Sequence, residues 1–473
     1  MSTNIIFIDD PKHIHKTFWK YAIPSLISML ASGLYQIIDG IFIGYYIGAP
    51  GLVAINIAWP IIGIIMGMGL MIGMGSGSLI STYLGEKNTQ QAENVLLSSF
   101  ILIIIFGALS YFLMQQFSIP LMRMQVNSEP ALQLAIEYMN VETTFSIFIV
   151  ASMAMPFLVR NNLSPNFATG LVILGAMINL ALDPLFIGYF NWGMKGAAYA
   201  TSIAQACVSI IALYYFFSAK GYLKIHIKNF KYQWKILLRS LGLGASSFTM
   251  YLYFSFVMAI HNLLFSIYGT EHSVAAYAIV GYLMIFYYLF AEGISEGMQP
   301  QVSYYNGAKS TENVNKVLFL SLKIVLSVGI LWIILLNVFP DPFIKLFESN
   351  NTILLNEAVK GIHLHLFSAF LDGFLVISTV YFLSVGEAKK SLFVSLANML
   401  IQLPFLYFLP KIYGINGVWL ALPISNLLLS CFIAPILYFD IKKRLEKNKK
   451  HSPITPIEQT SNSQSDGKKQ QIN

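Results

Sequence analysis

Residues 53–83 read VAINIAWPIIGIIMGMGLMIGMGSGSLISTY, a run without a single Asp, Glu, Lys or Arg. A helix needs about 20 mostly apolar residues to cross the hydrocarbon of a bilayer, and this run exceeds that length. Within it Gly63/Gly67 and Gly69/Gly73/Gly77 recur at four-residue spacing. Such rows let neighbouring helices approach closely, so packing or sliding contact is their expected role. Met66, Met68, Met71 and Met74 lie in the same stretch. They suit an adaptable cavity wall, or plain contact with core and lipid.

The rest of the chain follows this pattern. Its 473 residues are 56% hydrophobic and 11% charged, against roughly 25% charged in soluble domains. Apolar runs also occupy Thr17–Gly44, Val95–Gln115, Leu132–Val159, Phe167–Tyr189, Ala197–Phe217, Leu241–Ile267, Val274–Tyr305, Val317–Asn337, Val359–Leu383, Ser391–Leu409 and Val418–Tyr438. Twelve runs predict an all-α polytopic membrane protein with twelve transmembrane helices and exclude a soluble domain. The first run follows a basic N-terminus and reads as an anchor, not a removed signal peptide. Cys207 and Cys431 both fall within runs. Neither a structural disulfide nor a metal site is expected from them.

The net charge of +7 follows topology and is no nucleic-acid footprint. Lys12, Lys16 and Lys20 precede the first run. Lys220, Lys224, Lys228, Lys231, Lys235 and Arg239 fill the central connection, and Lys442, Lys443, Arg444, Lys447, Lys449 and Lys450 follow the last run. The alternate connections carry few positives, such as Arg123 and Lys195. By the positive-inside rule both termini and the central connection are expected in the cytoplasm of a bacterial-type inner membrane. An even number of spans satisfies this. The expected organisation is an N-terminus over 1–15, an N-lobe over 16–218, a basic linker over 219–240, a C-lobe over 241–440 and a polar, disordered tail over 441–473.

The two halves repeat each other. Gly48, Val53 and Ala54 match Gly269, Val274 and Ala275; Tyr83, Gly85, Lys87 and Thr89 match Tyr305, Gly307, Lys309 and Thr311. Phe117 and Pro120 match Phe339 and Pro342, Phe145 and Ser146 match Phe367 and Ser368, and Gly193, Gly196 and Ala200 match Gly414, Gly417 and Ala421. The offset holds at 221 or 222 throughout. Six spans per repeat is even, so both repeats share one orientation. The pseudo-two-fold axis then runs along the membrane normal, and two facing bundles suggest a central cavity with alternating access.

The repeats differ in charge. Asp39 stands inside one apolar run, and Asn179 and Asp183 inside another, whereas Leu400 and Pro404 replace that pair in the second half. A carboxylate in hydrocarbon costs several kcal/mol unless it is neutralised or coordinated. Tyr35 and Asp39 share a helical face at four-residue spacing, as do Asn179 and Asp183. Thr201 follows in the next run. Carboxylates, an amide and a hydroxyl are hard oxygen ligands that suit Na⁺ or a shared proton and not a soft metal. The plainer reading is that Asp39 caps a helix end and that Asp183-Pro184 ends its helix. Pro24, about four turns before Asp39, permits a gating kink or a static one. In the second half Glu292, Glu296 and Asp372, with Tyr282, Phe286 and Tyr287 nearby, would attract an organic cation. Structural pairing is the competing role. His261 reads as a core residue. No phosphate-binding loop, serine elbow or zinc-binding helix motif occurs, so no enzyme is expected.

Three stretches together resemble a known family. NLALDPLFIGYFNWGMKGAAYATSIAQ (179–205), LYQIIDGIFIGYYIGAPGLVAINIAWP (34–60) and VRNNLSPNFATG (159–170) resemble the signatures of MATE (multidrug and toxic compound extrusion) transporters. FAEGISEGMQPQVSYYNGA (290–308) looks like its MepA-type, DinF-like branch. The resemblance covers 16–443. It implies two six-helix lobes and export of cationic or amphipathic compounds in exchange for H⁺ or Na⁺. It maps an N-lobe ion site onto Asp39, Asn179, Asp183 and Thr201, with Tyr35 beside it and Pro24 on the bending helix. Leu163 departs from the family, which usually places a glycine there. Helix 7 lacks the membrane acid of NorM-type members.

The chain is therefore expected to be a monomeric antiporter whose partners are small organic cations and the lipid bilayer, with no cofactor beyond the coupling ion. One competitor is a flippase for lipid-linked precursors, which would need a strongly cationic cavity. The spans carry more acids than bases. Another is a channel or passive receptor.

Overall fold

The computed structural model describes residues 13–125, 128–218, 221–225, 233–345 and 351–451, and these are almost entirely helical. Lys12, Lys220, Lys228, Lys231, most of the N-terminal segment and the chain from 452 onward lie outside the described residues. The N-lobe comprises α1 (Ile14–Tyr46), α2 (Ala49–Gly85), α3 (Thr89–Arg123), α4 (Glu129–Thr144), α5 (Ser146–Asn161), α6 (Pro165–Asp183) with a π-helical turn (Pro184–Tyr189), and α7 (Gly193–Phe217). The C-lobe comprises α8 (Trp234–Tyr268), α9 (Glu271–Gly307), α10 (Thr311–Val338), the short α11 (Pro340–Ile344), α12 (Thr352–His365), α13 (Ala369–Ser384), α14 (Ala388–Leu400), α15 (Gln402–Tyr413) and α16 (Ile415–His451). Among the described residues there is no β-strand. Among the described residues ten helices are long and apolar enough to cross a membrane, and twelve spans result when the bent pairs α4–α5 (64°) and α12–α13 (48°) each count as one.

The sequence repeat is a structural repeat. Each principal pairing in one lobe has its counterpart in the other: α2 with α3 and α9 with α10, α2 with α5 and α9 with α13, α1 with α6 and α8 with α14. Backbone detail repeats too. Lys87 (φ 59) and Lys309 (φ 58) take the left-handed region at matching turns, as do Gly193 (φ 56) and Gly414 (φ 57). The hairpins before α3 and α10 therefore have one shape.

Between the lobes, α2 packs on α8 and α1 on α9, while α2 and α9 meet on the pseudo-axis. Glycines set these distances. A Cβ on Gly75 would strike the Ser240 carbonyl, one on Gly244 the Met71 carbonyl, and ones on Gly85 and Gly307 the backbones of Tyr304 and Thr82. The two glycine rows of α2 face different partners. Gly63 and Gly67 face Tyr251 and Phe248 of α8, and Gly69 and Gly73 face Val150 and Ala154 of α5. The first row belongs to the lobe interface and the second to the N-lobe interior.

Helix α16 continues past Asp440 to His451, so the segment from 441, expected as a disordered tail, begins as helix. Arg444 holds it there by donating to Asp440 (2.7 Å), Asn306 (3.3 Å) and Glu387 (3.3 Å), and neither glycine nor proline interrupts 436–451. Likewise α8 begins at Trp234, inside the expected linker.

Candidate functional site

The site is built at the end of the N-lobe away from the chain termini. Asp39 lies seven residues before the end of α1, about 10 Å along the axis. α6 carries Asn179 and Asp183 one turn apart and stops at Asp183. Pro184 has no N–H for the Leu180 carbonyl, and the chain goes on as a π-helical turn to Tyr189. Such turns are rare and recur at functional sites. Gly193 then reverses the chain. Gly196 lets α7 press on the π turn, since a Cβ there would meet the Phe186 backbone at 3.0 Å. This return places Thr201 against α6. The Asn179 amide donates to the Thr201 hydroxyl (3.2 Å) and to Asp183 Oδ1 (3.5 Å). The carboxyls of Asp39 and Asp183 lie close enough to interact electrostatically. The structure thus brings together Asp39, Asn179, Asp183 and Thr201 from three elements.

Asp183 and Asn179 are almost wholly buried, at 0% and 3% exposure. Asp39 Oδ1 and Asp183 Oδ2 are buried without hydrogen-bond partners. Hard oxygens in this state fit a small hard cation or a proton. Beside them a small cleft of about 100 Å³ opens inside the N-lobe, with Ser32, Tyr35, Met66, Asn179, Thr201 and Gln205 in its walls. That is below the roughly 300–1,000 Å³ usual for ligand pockets, so a drug-sized cargo would need this wall to open further.

Sequence reasoning passed over Glu142 of α4. It is 1% exposed, accepts a hydrogen bond from Ser202 (3.3 Å) and lies within electrostatic range of Asp39. An acid inside the run Leu132–Val159 was the available signal. Tyr138, one turn earlier, is buried between Glu142 and Thr201.

Helix α1 runs unbroken through Pro24. The Pro24 carbonyl accepts from Thr169 of α6 (2.7 Å) and from Ser28 (3.0 Å), and Ser28 donates to Thr169 (2.9 Å). Two hydroxyls thus join the proline turn to the helix that carries Asn179 and Asp183.

The acids of the second half have different surroundings. Glu296 receives the Arg160 guanidinium at 2.7 Å, with side chains 4% and 1% exposed, so its charge is already matched. Asp372 is buried and accepts from Asn426 (2.7 Å). Glu292 is half-buried one turn from Glu296, and Tyr282 is exposed on α9. Where the N-lobe holds Asp39, the C-lobe offers His261 at an offset of 222. His261 is fully buried, hydrogen-bonded to the Val257 carbonyl (2.9 Å) and stacked on Tyr277.

Arg160 and Glu296 belong to a polar layer between the lobes. Asn161 and Gln299 exchange amide hydrogen bonds (3.0 and 3.2 Å), Ser81 donates to Asn161 (2.6 Å), and Ser78 bonds Ser303 (3.0 Å). The layer lies toward the end of the bundle that carries the chain termini. The N-lobe acids lie toward the other end.

The family model MatE matches residues 24–185 and again 246–408, once in each lobe. The chain belongs to the MatE family. It is 23% identical over 451 residues to the multidrug export protein MepA of Staphylococcus haemolyticus, covering 95% of this chain and 98% of that one. It is 24% identical over 442 residues to MepA of Staphylococcus aureus strain N315, covering 92% and 96%. A solved structure described as an outward-facing multidrug resistance MATE family transporter superposes with a TM-score of 0.86 at 24% identity, covering 91% of this chain and 96% of that one.

Proposed function

We propose that this protein is a secondary antiporter that exports cationic or amphipathic organic compounds in exchange for a cation, by alternating access of its two lobes. The observation that carries this is the assembly of Asp39, Asn179, Asp183 and Thr201 beside a small N-lobe cleft, while a buried polar layer holds the lobes together at the opposite end. The basic residues flanking the spans favour a cytoplasmic location for the termini. The polar layer is then the inner seal, and the cleft belongs to an outward-open state. The relatives named as multidrug export proteins support the cargo class.

The coupling ion is H⁺ or Na⁺, and the side-chain arrangement favours H⁺. A single proton would relieve two neighbouring buried carboxyls, and Asn179 turns N–H, not oxygen, toward Asp183 and Thr201. A Na⁺ ion would be held by Asp39, Asp183, Thr201 and the Asn179 oxygen after an amide flip. Pro24 is the proposed hinge, with Thr169 and Ser28 transmitting movement between α1 and α6. Met66 and Tyr35 are proposed to contact cargo in the N-lobe cleft. Glu292 and Asp372, with Tyr282 at the surface, are the proposed cation-attracting groups of the C-lobe.

The test is ethidium transport in proteoliposomes under an imposed proton or Na⁺ gradient. Acceleration by one gradient supports exchange and names the ion. Equal rates with and without both gradients would leave a passive pathway.

A further inference from the structure

Three carboxyls share the N-lobe interior: Asp39, Asp183 and Glu142. Among the described residues none has an ion-pair partner; the buried base Arg160 lies toward the other end of the bundle and is taken by Glu296. Three negative charges in a water-poor interior would cost many kcal/mol, so the site must hold positive charge or protons. One proton or small cation held between the neighbouring carboxyls of Asp39 and Asp183 would answer for that pair. It does not account for Glu142, which sits on a different helix. There Ser202 satisfies Oε1, while Oε2 is buried with no partner at all. An ionised carboxylate oxygen left so is among the costliest groups to bury, and a protonated acid is far cheaper. The groups facing Glu142 are Ser202 of α7, Tyr138 on its own helix, and Tyr35 and Asp39 of α1. None is a base that could neutralise it.

We propose that Glu142 is a second proton-carrying residue of the N-lobe site, separate from the cation shared by Asp39 and Asp183. It holds its own proton in this conformation and releases it to water in the cleft when a cargo cation enters. The cycle then exchanges one more proton for each cargo cation than the aspartate pair alone would allow. This rests on the antiport reading above and extends it to stoichiometry.

The first test needs no cargo. Infrared spectra of the purified full-length protein at neutral pH are compared for the native chain, Glu142→Gln and Glu142→Asp. The native spectrum should contain a protonated-acid carbonyl band, sensitive to D₂O, that is lost in Glu142→Gln and shifted in Glu142→Asp. Identical acid bands in native protein and Glu142→Gln would overturn the proposal. If Glu142→Gln does not fold, an unshifted band in Glu142→Asp does the same. The second test counts protons released to a pH indicator on saturation with tetraphenylphosphonium. Glu142→Gln should release one fewer per bound cation, with the count restored in Glu142→Asp, and an unchanged count contradicts the proposal. Asp39→Asn separates the two readings. If the native protein shows no gradient-driven efflux, the antiport reading fails whatever Glu142 does, and if Asp39→Asn still couples efflux to a gradient, the assignment of coupling to Asp39 fails. If it abolishes coupling while Glu142→Gln leaves band and count unchanged, only the Glu142 assignment fails.

Discussion

The Arg160 guanidinium of the N-lobe donates to the Glu296 carboxylate of the C-lobe at 2.7 Å, and both side chains are almost wholly shielded from solvent. The residues stand 136 positions apart and on opposite sides of the lobe interface. Under the alternating access proposed above the lobes part on this side, and the pair would separate and rehydrate in every cycle. Phe157 lies against the guanidinium at 5.0 Å and helps keep water out of the closed state.

Losing one partner should therefore be worse than losing both. Arg160→Met or Glu296→Met alone leaves an uncompensated buried charge, at a cost of about 3–5 kcal/mol. The double replacement should recover most of that loss. Thermal unfolding of the four proteins in detergent checks this as a double-mutant cycle. Additive losses would show that the pair is not coupled in the folded state.

The glycines at the same end should control closure. Gly85→Ala or Gly307→Ala pushes a methyl group into the backbone of the facing helix, and overpacking of this kind costs about 1–3 kcal/mol. The cost falls only on the state in which the lobes touch here. Spin labels on α2 and α9 near Gly85 and Gly307 should report a longer distance in either variant. An unchanged distance distribution would mean that this contact does not limit closure.

At Leu163 the usual order of substitutions should reverse. Its φ of 62 is left-handed, which costs a residue with a Cβ roughly 1–2 kcal/mol, while its side chain packs against the apolar cores of both lobes. Leu163→Ala loses the packing and keeps the strain. Leu163→Gly loses the packing but relieves the strain, so it should be more stable than Leu163→Ala by about 1 kcal/mol. Unfolding temperatures of the two variants decide the point, and a lower value for glycine would count against the strain.

Much of this architecture was legible in the sequence, because hydrocarbon imposes its pattern on every span. The apolar runs, the 221–222 offset and the lone acids Asp39 and Asp183 all express that single constraint. What escaped is what hydropathy cannot register. The bends at Phe145 and at 366–368 lie inside runs that read as single straight spans. The π turn after Asp183 follows from one proline, whose presence indicates a helix end but not the geometry beyond it. The partnership of Arg160 with Glu296 joins two helices by tertiary contact alone, with no periodicity relating them. Glu142 was visible as an acid in an apolar run, yet its proximity to Asp39 depends on how α4 packs against α2 and α7. The resemblance marked Leu163 as a departure from glycine, and its positive φ is a conformation that glycine takes without strain.

The link from Pro24 to Thr169 should matter for motion more than for stability. Thr169→Val removes a hydroxyl that donates to the Pro24 carbonyl and accepts from Ser28, worth about 0.5–1.5 kcal/mol per hydrogen bond. Ethidium efflux should slow several-fold, with its binding affinity nearly unchanged. A large fall in affinity with a normal maximal rate would place Thr169 in the binding site instead.

The most direct test of the account compares gradient-driven ethidium efflux by the native protein and Asp39→Asn, each reconstituted in proteoliposomes and each first shown to bind ethidium. The account requires the native protein to extrude ethidium when a proton or Na⁺ gradient is imposed, and Asp39→Asn to bind it without responding to either gradient. Extrusion by Asp39→Asn at the native rate and with the native gradient dependence would contradict it.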